Sequence, residues 1–400
     1  MINGCRVCKS NKIKNLFKKD NFSYFTSPIK ISKIRNLNKI LKKQKDNYRL
    51  EVVYCNECSH VFLKKLPDQG MLNKLYKKFY SYPSAIRDGF EPVRDNTFLK
   101  IFNIQMKNYS KKSSILEIGC FDGYIISKLK KTFHNVFGCD PSPGAEIGKK
   151  KGLKIKRDFY SRNLFKRKFD IIIGRHVFEH LKDLDKFLND INYNLNENGT
   201  LILEVPNVNF FLKNGLLTVF SLQHIHYFNE FSLRKILNIN NFWPIKIYKS
   251  QENLIIFCKK EKTNLNIKIN KDLKLLKNFE IKFKNNQNKL NKFIKTNNIK
   301  DKNIVIWGAG GAGYAVSKFY NIDIKKIYCY VDIDKSKVNS RYYNIPKKIY
   351  FPNKNLLTKA KYVFITSMYA KNIIFQLKKM KLKKKIITFF PKFNILSLNK

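Results

Sequence analysis

Residues 113–140 read SSILEIGCFDGYIISKLKKTFHNVFGCD. Ile115, Leu116 and Ile118 form a short apolar run that ends in a glycine turn, GCFDG at 119–123, and residues 124–131 then take up helical spacing. That is strand, tight loop, helix. A second apolar run, 135–139, ends in Asp140, about twenty residues after the loop, where a parallel αβ unit places an acid to hold ribose hydroxyls. The order predicts an α/β sheet with an adenosyl-type cofactor at its edge.

The loop is not a full G-x-G-x-x-G, because it runs from Gly119 to Gly123 with Glu117 two residues before its first glycine. A pyrophosphate needs close backbone approach at three glycines, so the missing one argues against a nicotinamide dinucleotide here. The pattern resembles class I S-adenosylmethionine methyltransferases, whose cofactor is a sulfonium cation with an α-amino acid tail and no phosphate. An acid beside the loop suits that cation. The expected cofactor contacts are Glu117, Gly119, Cys120, Phe121, Asp122, Gly123, Asp140 and Pro141, against the plainer alternative of an ordinary αβ turn.

Length and charge bound the rest. Four hundred residues suggest two or three domains. The net charge of +51 would ordinarily point to nucleic acid, yet only 11 of the 80 basic residues are Arg, and the lysines are scattered among Asn, Ile, Phe and Tyr. All five of these residue types can be encoded by A and T alone, so much of the charge reads as genome bias. Arg-poor, unclustered charge is a poor base reader, which argues against a nucleic-acid partner and leaves an anionic small molecule well served. No apolar run approaches the roughly eighteen residues of a membrane span, and the amino terminus lacks an apolar signal core, so the expectation is a cytoplasmic chain without a membrane partner.

Eight cysteines in such a chain point to metal or burial rather than disulfides. Cys5-x-x-Cys8 and Cys55-x-x-Cys58 are two knuckles that together complete a tetrahedral zinc site with no open position, hence a structural one. The 46 residues between the knuckles exceed the usual spacing of roughly fifteen to twenty. The other four cysteines read as core or bystander thiols.

Further along, LYKKFYSYPSAIR at 75–87 reads either as a packing turn or as a substrate-side lid, with Tyr80, Tyr82 and Ser84 pointing into the cleft. Asp158 and Phe159 are placed to sit against an adenine. The apolar strand FDIIIG at 169–174 leads to Arg175 and His176 at a rim facing the cofactor, and a glycine turn with a strand follows at 195–207. SLQHIHYFNEFS at 221–232 carries His224 and His226, two apart on an extended segment, which read either as satisfied surface or core histidines or as a proton-transfer pair. Residues 261–300 turn to Lys, Asn, Leu and Ile with loose helical periodicity. At 308–313 stands a complete G-x-G-x-x-G, GAGGAG, followed by a helix and by a strand ending before Asp332. About four strands fit after it, at best half of a dinucleotide domain.

Taken together, the double knuckle, LEIGCFDG, CDPSPGA, FDIIIGRHVFEHL, LNENGTLILEVPN, QHIHYFNEFSL and GAGGAG resemble the nucleotide-sugar C-methyltransferases over nearly the whole chain. The resemblance implies a class I methyltransferase doubly wound α/β sheet at 75–260, flanked by a small zinc-binding module at 1–74 and, after a helical linker at 261–300, a Rossmann-like α/β domain at 301–400. It also implies S-adenosylmethionine as cofactor, structural Zn2+, and a nucleotide-diphosphate sugar as the small-molecule substrate. In that family a histidine of a Tyr-His-Glu-His segment is thought to be the base. Ser221, Leu222, Gln223 and His224 stand at those positions, so the tyrosine and the glutamate are replaced. The alternatives are an O- or N-methyltransferase, a non-catalytic binding protein of the same fold, and a nicotinamide enzyme built on GAGGAG.

Overall fold

The computed structural model describes residues 4–41, 49–80, 84–89, 91–250, 252–261 and 273–398. The chain forms two compact units that are interleaved in sequence: residues 1–14, 54–207 and 225–271 make the first, and 15–53, 208–224 and 272–400 the second. The first 74 residues are therefore shared between the units, and the divisions drawn at 74, 260 and 300 do not coincide with them.

The first unit is organised on a seven-stranded sheet. Its strands are β1 (Ser114–Ile118), β2 (Asn135–Cys139), β3 (Ile155–Lys156), β4 (Phe169–Arg175), β5 (Leu195–Pro206), β6 (Phe242–Lys249) and β7 (Asn253–Lys260), in the order β3-β2-β1-β4-β5-β7-β6. The first five run parallel, while β7 is antiparallel to β5 and β6 to β7. The middle strands are covered on both faces, which is why β1 and β4 read as continuous apolar runs rather than alternating ones. Pro244 lies in the outermost strand β6, beside a shift in register, where a missing ladder donor costs least. Phe98 and Phe102 of the helix Val93–Gln105 pack with Ile125, Ile126 and Leu129 against Ile171 and Ile173 of β4.

Chain order reverses between β1 and β4. In an open parallel sheet that reversal leaves a crevice beyond the carboxyl ends of the two strands. The loop 119–123 follows β1, and Arg175 ends β4.

The second unit carries β8 (Ile304–Trp307), β9 (Ile327–Val331), β10 (Ile349–Tyr350), β11 (Tyr362–Ile365), β12 (Lys385–Thr388) and β13 (Asn394–Ser397), in the order β10-β9-β8-β11-β12-β13. Only β13 is antiparallel to its neighbour. Six strands stand where about four were expected, because β10 is two residues long and β13 is largely exposed, so neither leaves an apolar run to read. The helix Leu273–Thr296 realises the helical reading of 261–300, of which 262–272 lie outside the described residues. Among the described residues no helix is long and apolar enough to cross a membrane.

Candidate active site

At the switch point of the first unit, both loop glycines are required by geometry. Gly119 and Gly123 have φ of 74° and 80°, and a Cβ on Gly119 would lie 2.3 Å from Val177 Cγ2. Between them Phe121 also takes a left-handed φ of 48°, and its ring lies against Gly144. The Cys120 side chain is buried against Gly138. Asp140, after β2, accepts from the Phe121 amide at 3.0 Å through Oδ2 and from the Ser142 amide at 2.8 Å through Oδ1. The Ser142 side chain also bonds this carboxylate, and four lone-pair sites leave room for a ribose hydroxyl. Pro141 is half-buried beside it.

Across the crevice Arg175 is buried and its guanidinium is largely committed. Nε donates to Glu204 Oε2 at 2.7 Å, Nη1 donates to Asp95 Oδ1 at 2.9 Å, and the group sits 4.4 Å from the centroid of the Phe98 ring. Asn253 Nδ2 donates to the other Glu204 oxygen at 2.8 Å. His176 follows at a φ of 51°, a strained value for a histidine, with Nδ1 3.5 Å from Glu179 Oε1 and Nε2 3.7 Å from Glu204 Oε1.

Arg175 Nη2, Glu117 Oε2 and His176 Nε2 are among the buried atoms of this group that have no hydrogen-bond partner among the described residues. Such atoms are costly unless a ligand or water completes them. Burial pushes the Glu117 carboxyl up to about 8, against the pull of Arg175, and Asp95, Asp122 and Asp140 push the same way as burial. Burial also acts to raise Glu204, yet Arg175 and His176 hold it well below the usual carboxylate range. His176 is lowered by burial and raised by Glu179 and Glu204, which win. An unpaired buried acid beside an unfilled guanidinium N–H suits a ligand bearing an ammonium and a carboxylate on one carbon. An α-amino acid tail has both, so these residues fit the cofactor expected from the loop.

Other predicted residues lie elsewhere. Ser84 does not point into a cleft; it is fully buried, and its hydroxyl donates to Asp122 Oδ2 at 2.7 Å. Tyr80 ends the helix Gln69–Phe79 with its amide on Leu75 O, and Tyr82 lies outside the described residues. Asp158 is at the surface, 3.3 Å from Lys77 Nζ, and the Phe159 ring lies under the same ammonium. Tyr76 was missed by the sequence reading: its hydroxyl is 3.0 Å from His180 Nδ1 and its ring 5.0 Å from that of Tyr80. The i, i+4 spacing of Tyr76 and Tyr80 was the available signal. Asp95 and Glu204 were missed as well, because nothing local marks an acid whose partner is 80 or 29 residues away.

His226 is a core histidine. It is 1% exposed, with Nε2 3.0 Å from Leu181 O and Nδ1 3.0 Å from His60 Nε2. A carbonyl only accepts, so both imidazoles carry their proton on Nε2. Burial pushes His60 down to about 3 and His226 well below its usual value. Its pairing with His224 as a second proton carrier is therefore corrected: it holds the turn after β4. His224 lies in the 208–224 segment of the second unit, where Ser221 Oγ accepts from the Gln223 and His224 amides at 3.3 and 3.2 Å. Gln223 is buried with its amide nitrogen on Tyr24 O. The next residue, Ile225, donates its amide to Glu179 O at 2.8 Å.

The four knuckle sulfurs lie within 4.8 Å of one another, with Cys5–Cys58 at 3.5 Å and Cys8–Cys55 at 3.6 Å. Tetrahedral zinc–thiolate bonds of ~2.3 Å require sulfurs about 3.8 Å apart. The two knuckles are built alike. Cys5 and Cys55 donate their amides to Ser10 O and His60 O, the Lys9 and Ser59 amides return to Cys5 O and Cys55 O, and Val7 and Glu57 donate to the first sulfur of each. Lys9 and Ser59 both have positive φ. Amides aimed at sulfur favour thiolates, so the donor set fits zinc. The long spacing between knuckles arises because residues 15–53 belong to the other unit.

In the second unit, GAGGAG joins β8 to the helix Gly311–Phe319, and the space around a Cβ at Gly310 is open. Asp332 accepts from Ala309 N at 2.8 Å and from Lys337 Nζ at 2.9 Å.

Residues 92–246 match a family model described as "Methyltransferase domain". A ubiquinone biosynthesis O-methyltransferase of Pelagibacter ubique (strain HTCC1062) is 28% identical over 148 residues, which are 34% of this chain and 61% of that protein. This chain thus spans about three fifths of the length of that relative. Among solved structures, an S-adenosylmethionine-dependent methyltransferase from Clostridium acetobutylicum ATCC 824 aligns at a TM-score of 0.36 and 15% identity, over 45% of this chain and 96% of its own. The Burkholderia thailandensis 1,6-didemethyltoxoflavin-N1-methyltransferase, with 1,6-didemethyltoxoflavin and S-adenosylhomocysteine bound, aligns at 0.38 and 14%, over 51% and 97%. By this match residues 92–246 carry a methyltransferase domain, built on the parallel sheet with its glycine loop and acid.

Proposed function

We propose that the chain transfers the methyl group of S-adenosylmethionine to a nucleotide-linked keto sugar, at a carbon next to the carbonyl. The observation that carries the cofactor half is the pair of buried, unpartnered atoms Glu117 Oε2 and Arg175 Nη2, which an α-amino acid tail would complete. When bound, the cofactor supplies an electrophilic methyl group on a cationic sulfur. Asp140 takes the ribose, and the acids around Glu117 favour the positive charge. The four knuckle cysteines hold a structural zinc.

For the acceptor, His224 removes the proton α to the carbonyl. General base catalysis of that kind contributes roughly 10²–10⁴-fold. Ser221 Oγ accepts from the His224 amide at 3.2 Å and so braces the histidine's backbone. Support for a nucleotide comes from the second unit. The first-turn amides at Gly311 suit a phosphate, the buried Thr26 has its Oγ1 3.8 Å from the Cβ position of Gly311, and the exposed Ile333, Phe351, Met368 and Tyr369 follow strands β9, β10 and β11 as apolar surface for a base. O-methylation is the second reading. Tyr76 OH lies 3.0 Å from His180 Nδ1, an imidazole that can take a hydroxyl proton, and the Pelagibacter relative bears an O-methyltransferase name.

Calorimetric titration with S-adenosylmethionine, followed by turnover against a panel of nucleotide-linked keto sugars read by mass, tests both halves. A gain of one methyl on carbon supports the first reading. A methyl on oxygen supports the second, and no cofactor binding overturns both.

A further inference from the structure

We propose that Asp122 is a positioning residue, which ties the short helix Ala85–Asp88 to the cofactor loop so that affinity for the cofactor depends on Ser84. This rests on the cofactor reading above. Ser84 and Asp122 are 0% and 3% exposed. Asp122 Oδ2 accepts from Ser84 Oγ at 2.7 Å and from the Ile86 amide at 3.1 Å, while Oδ1 accepts from the Tyr124 amide at 3.1 Å. Three protein donors surround this carboxylate, so it acts through the loop and not by touching ligand.

What the contact holds is a backbone that resists holding itself. Asp122 sits between two left-handed residues, Phe121 and Gly123. Phe121 needs outside restraint to stay there, because a side chain disfavours that conformation. The Phe121 amide is also the donor that orients Asp140. Ser84 therefore acts on the ribose acid in three steps: its hydroxyl fixes Asp122, Asp122 fixes the loop, and the loop amide fixes Asp140. Ser84 is itself anchored, since its hydroxyl oxygen accepts from the Arg87 amide at 3.0 Å and Ala85 enters the core of the first unit. Ser84 lies upstream of residue 92, where the family match begins, so the restraint comes from outside the matched domain.

The test uses the full chain and S-adenosylhomocysteine as the probe, titrated by calorimetry into wild type, Ser84→Ala, Ser84→Thr, Asp122→Asn and the Ser84→Ala/Asp122→Asn double variant. Two single variants that break one link raise Kd by about tenfold or more each, and the double variant is no more than about threefold weaker than the weaker single, because coupled residues do not add. Ser84→Thr, which keeps the hydroxyl, stays within about threefold of wild type. Without ligand, amide hydrogen exchange over 119–124 speeds up in Ser84→Ala while melting temperature stays within a few degrees, separating local loosening from global destabilisation. Ser84→Ala alone carries the test if Asp122→Asn does not fold. A Ser84→Ala Kd within about twofold of wild type, or effects that multiply, overturns the positioning role. A wild-type chain that binds no S-adenosylhomocysteine overturns the cofactor reading itself, before any variant is compared.

Discussion

The Phe121 amide donates to Asp140 Oδ2 at 3.0 Å, and the same device recurs in the second unit, where the Ala309 amide donates to Asp332 Oδ2 at 2.8 Å. In each case the other oxygen takes the amide two residues further on, Ser142 at 2.8 Å and Asp334 at 3.0 Å. A glycine loop thus fixes the acid that ends the next strand, twice in one chain. The two acids differ in what else they meet. Lys337 Nζ lies 2.9 Å from Asp332, whereas Asp140 is surrounded by Ser142, the Phe121 amide and Asp122.

Asp140→Ala should weaken S-adenosylmethionine binding by about 1–3 kcal/mol, the cost of charge-assisted hydrogen bonds left unmade. Calorimetry measures this directly. Unchanged affinity would remove Asp140 from the cofactor site.

The second unit should not take up NAD, because the acid that would hold the adenosine ribose is already paired with Lys337. Titration of the full chain with NADH, followed by nicotinamide fluorescence, should show no saturable binding. Tight binding that nucleotide sugars do not displace would restore the nicotinamide reading of GAGGAG.

These two acids also show how far the sequence could be read. β1, the loop, β2 and Asp140 were legible because each step is local: an apolar run, a glycine pair, an acid at a fixed distance. The assembly around Arg175 was only half legible. The strand ahead of it marked the residue as a rim position, but its partners Asp95 and Glu204 come from a helix and a strand that only the fold brings together. His226 was misread for a related reason. Spacing places it beside His224, and only the His60 contact, 166 residues away, shows that it is a buried structural group. Short or exposed strands such as β10 and β13 leave no periodic trace at all.

Metal analysis of protein purified without chelator should give one zinc per chain, and Cys5→Ser or Cys58→Ser should lose it. Each cysteine supplies one of four sulfurs within 4.8 Å, and three ligands hold zinc far less well than four. Full-length protein with no bound zinc and unchanged stability on adding it would make these four reduced core thiols.

Glu117 should leave a signature in the pH dependence of stability. Its carboxyl is raised from 4.5 to about 8 in the folded chain, so its stabilising contribution is complete below about 4.5 and is lost as pH rises through 8. Relative to Glu117→Gln, the ligand-free wild type should lose about 1.4 kcal/mol of stability per pH unit across that window. Denaturant unfolding of both proteins at several pH values measures the difference. Parallel curves would mean that Glu117 is ionised in the folded chain.

His224 is the sharpest case, because its neighbour two residues on is a built-in comparison. Proton removal next to a carbonyl needs a base that titrates near working pH, and histidine is the side chain that meets this without help. His226 cannot serve: it is buried, held neutral, and bonded at both nitrogens. His224→Ala should therefore keep cofactor binding while turnover of the nucleotide-linked keto sugar falls by about two orders of magnitude or more. His226→Ala should instead lose stability by about 1–3 kcal/mol, the penalty for leaving His60 and Leu181 O without their partner, and keep most of its turnover per folded molecule. Exchange of the substrate's α-proton with deuterated water separates carbon from oxygen chemistry. Its loss in His224→Ala supports carbon methylation with His224 as base, and exchange at the wild-type rate would assign the proton to another residue.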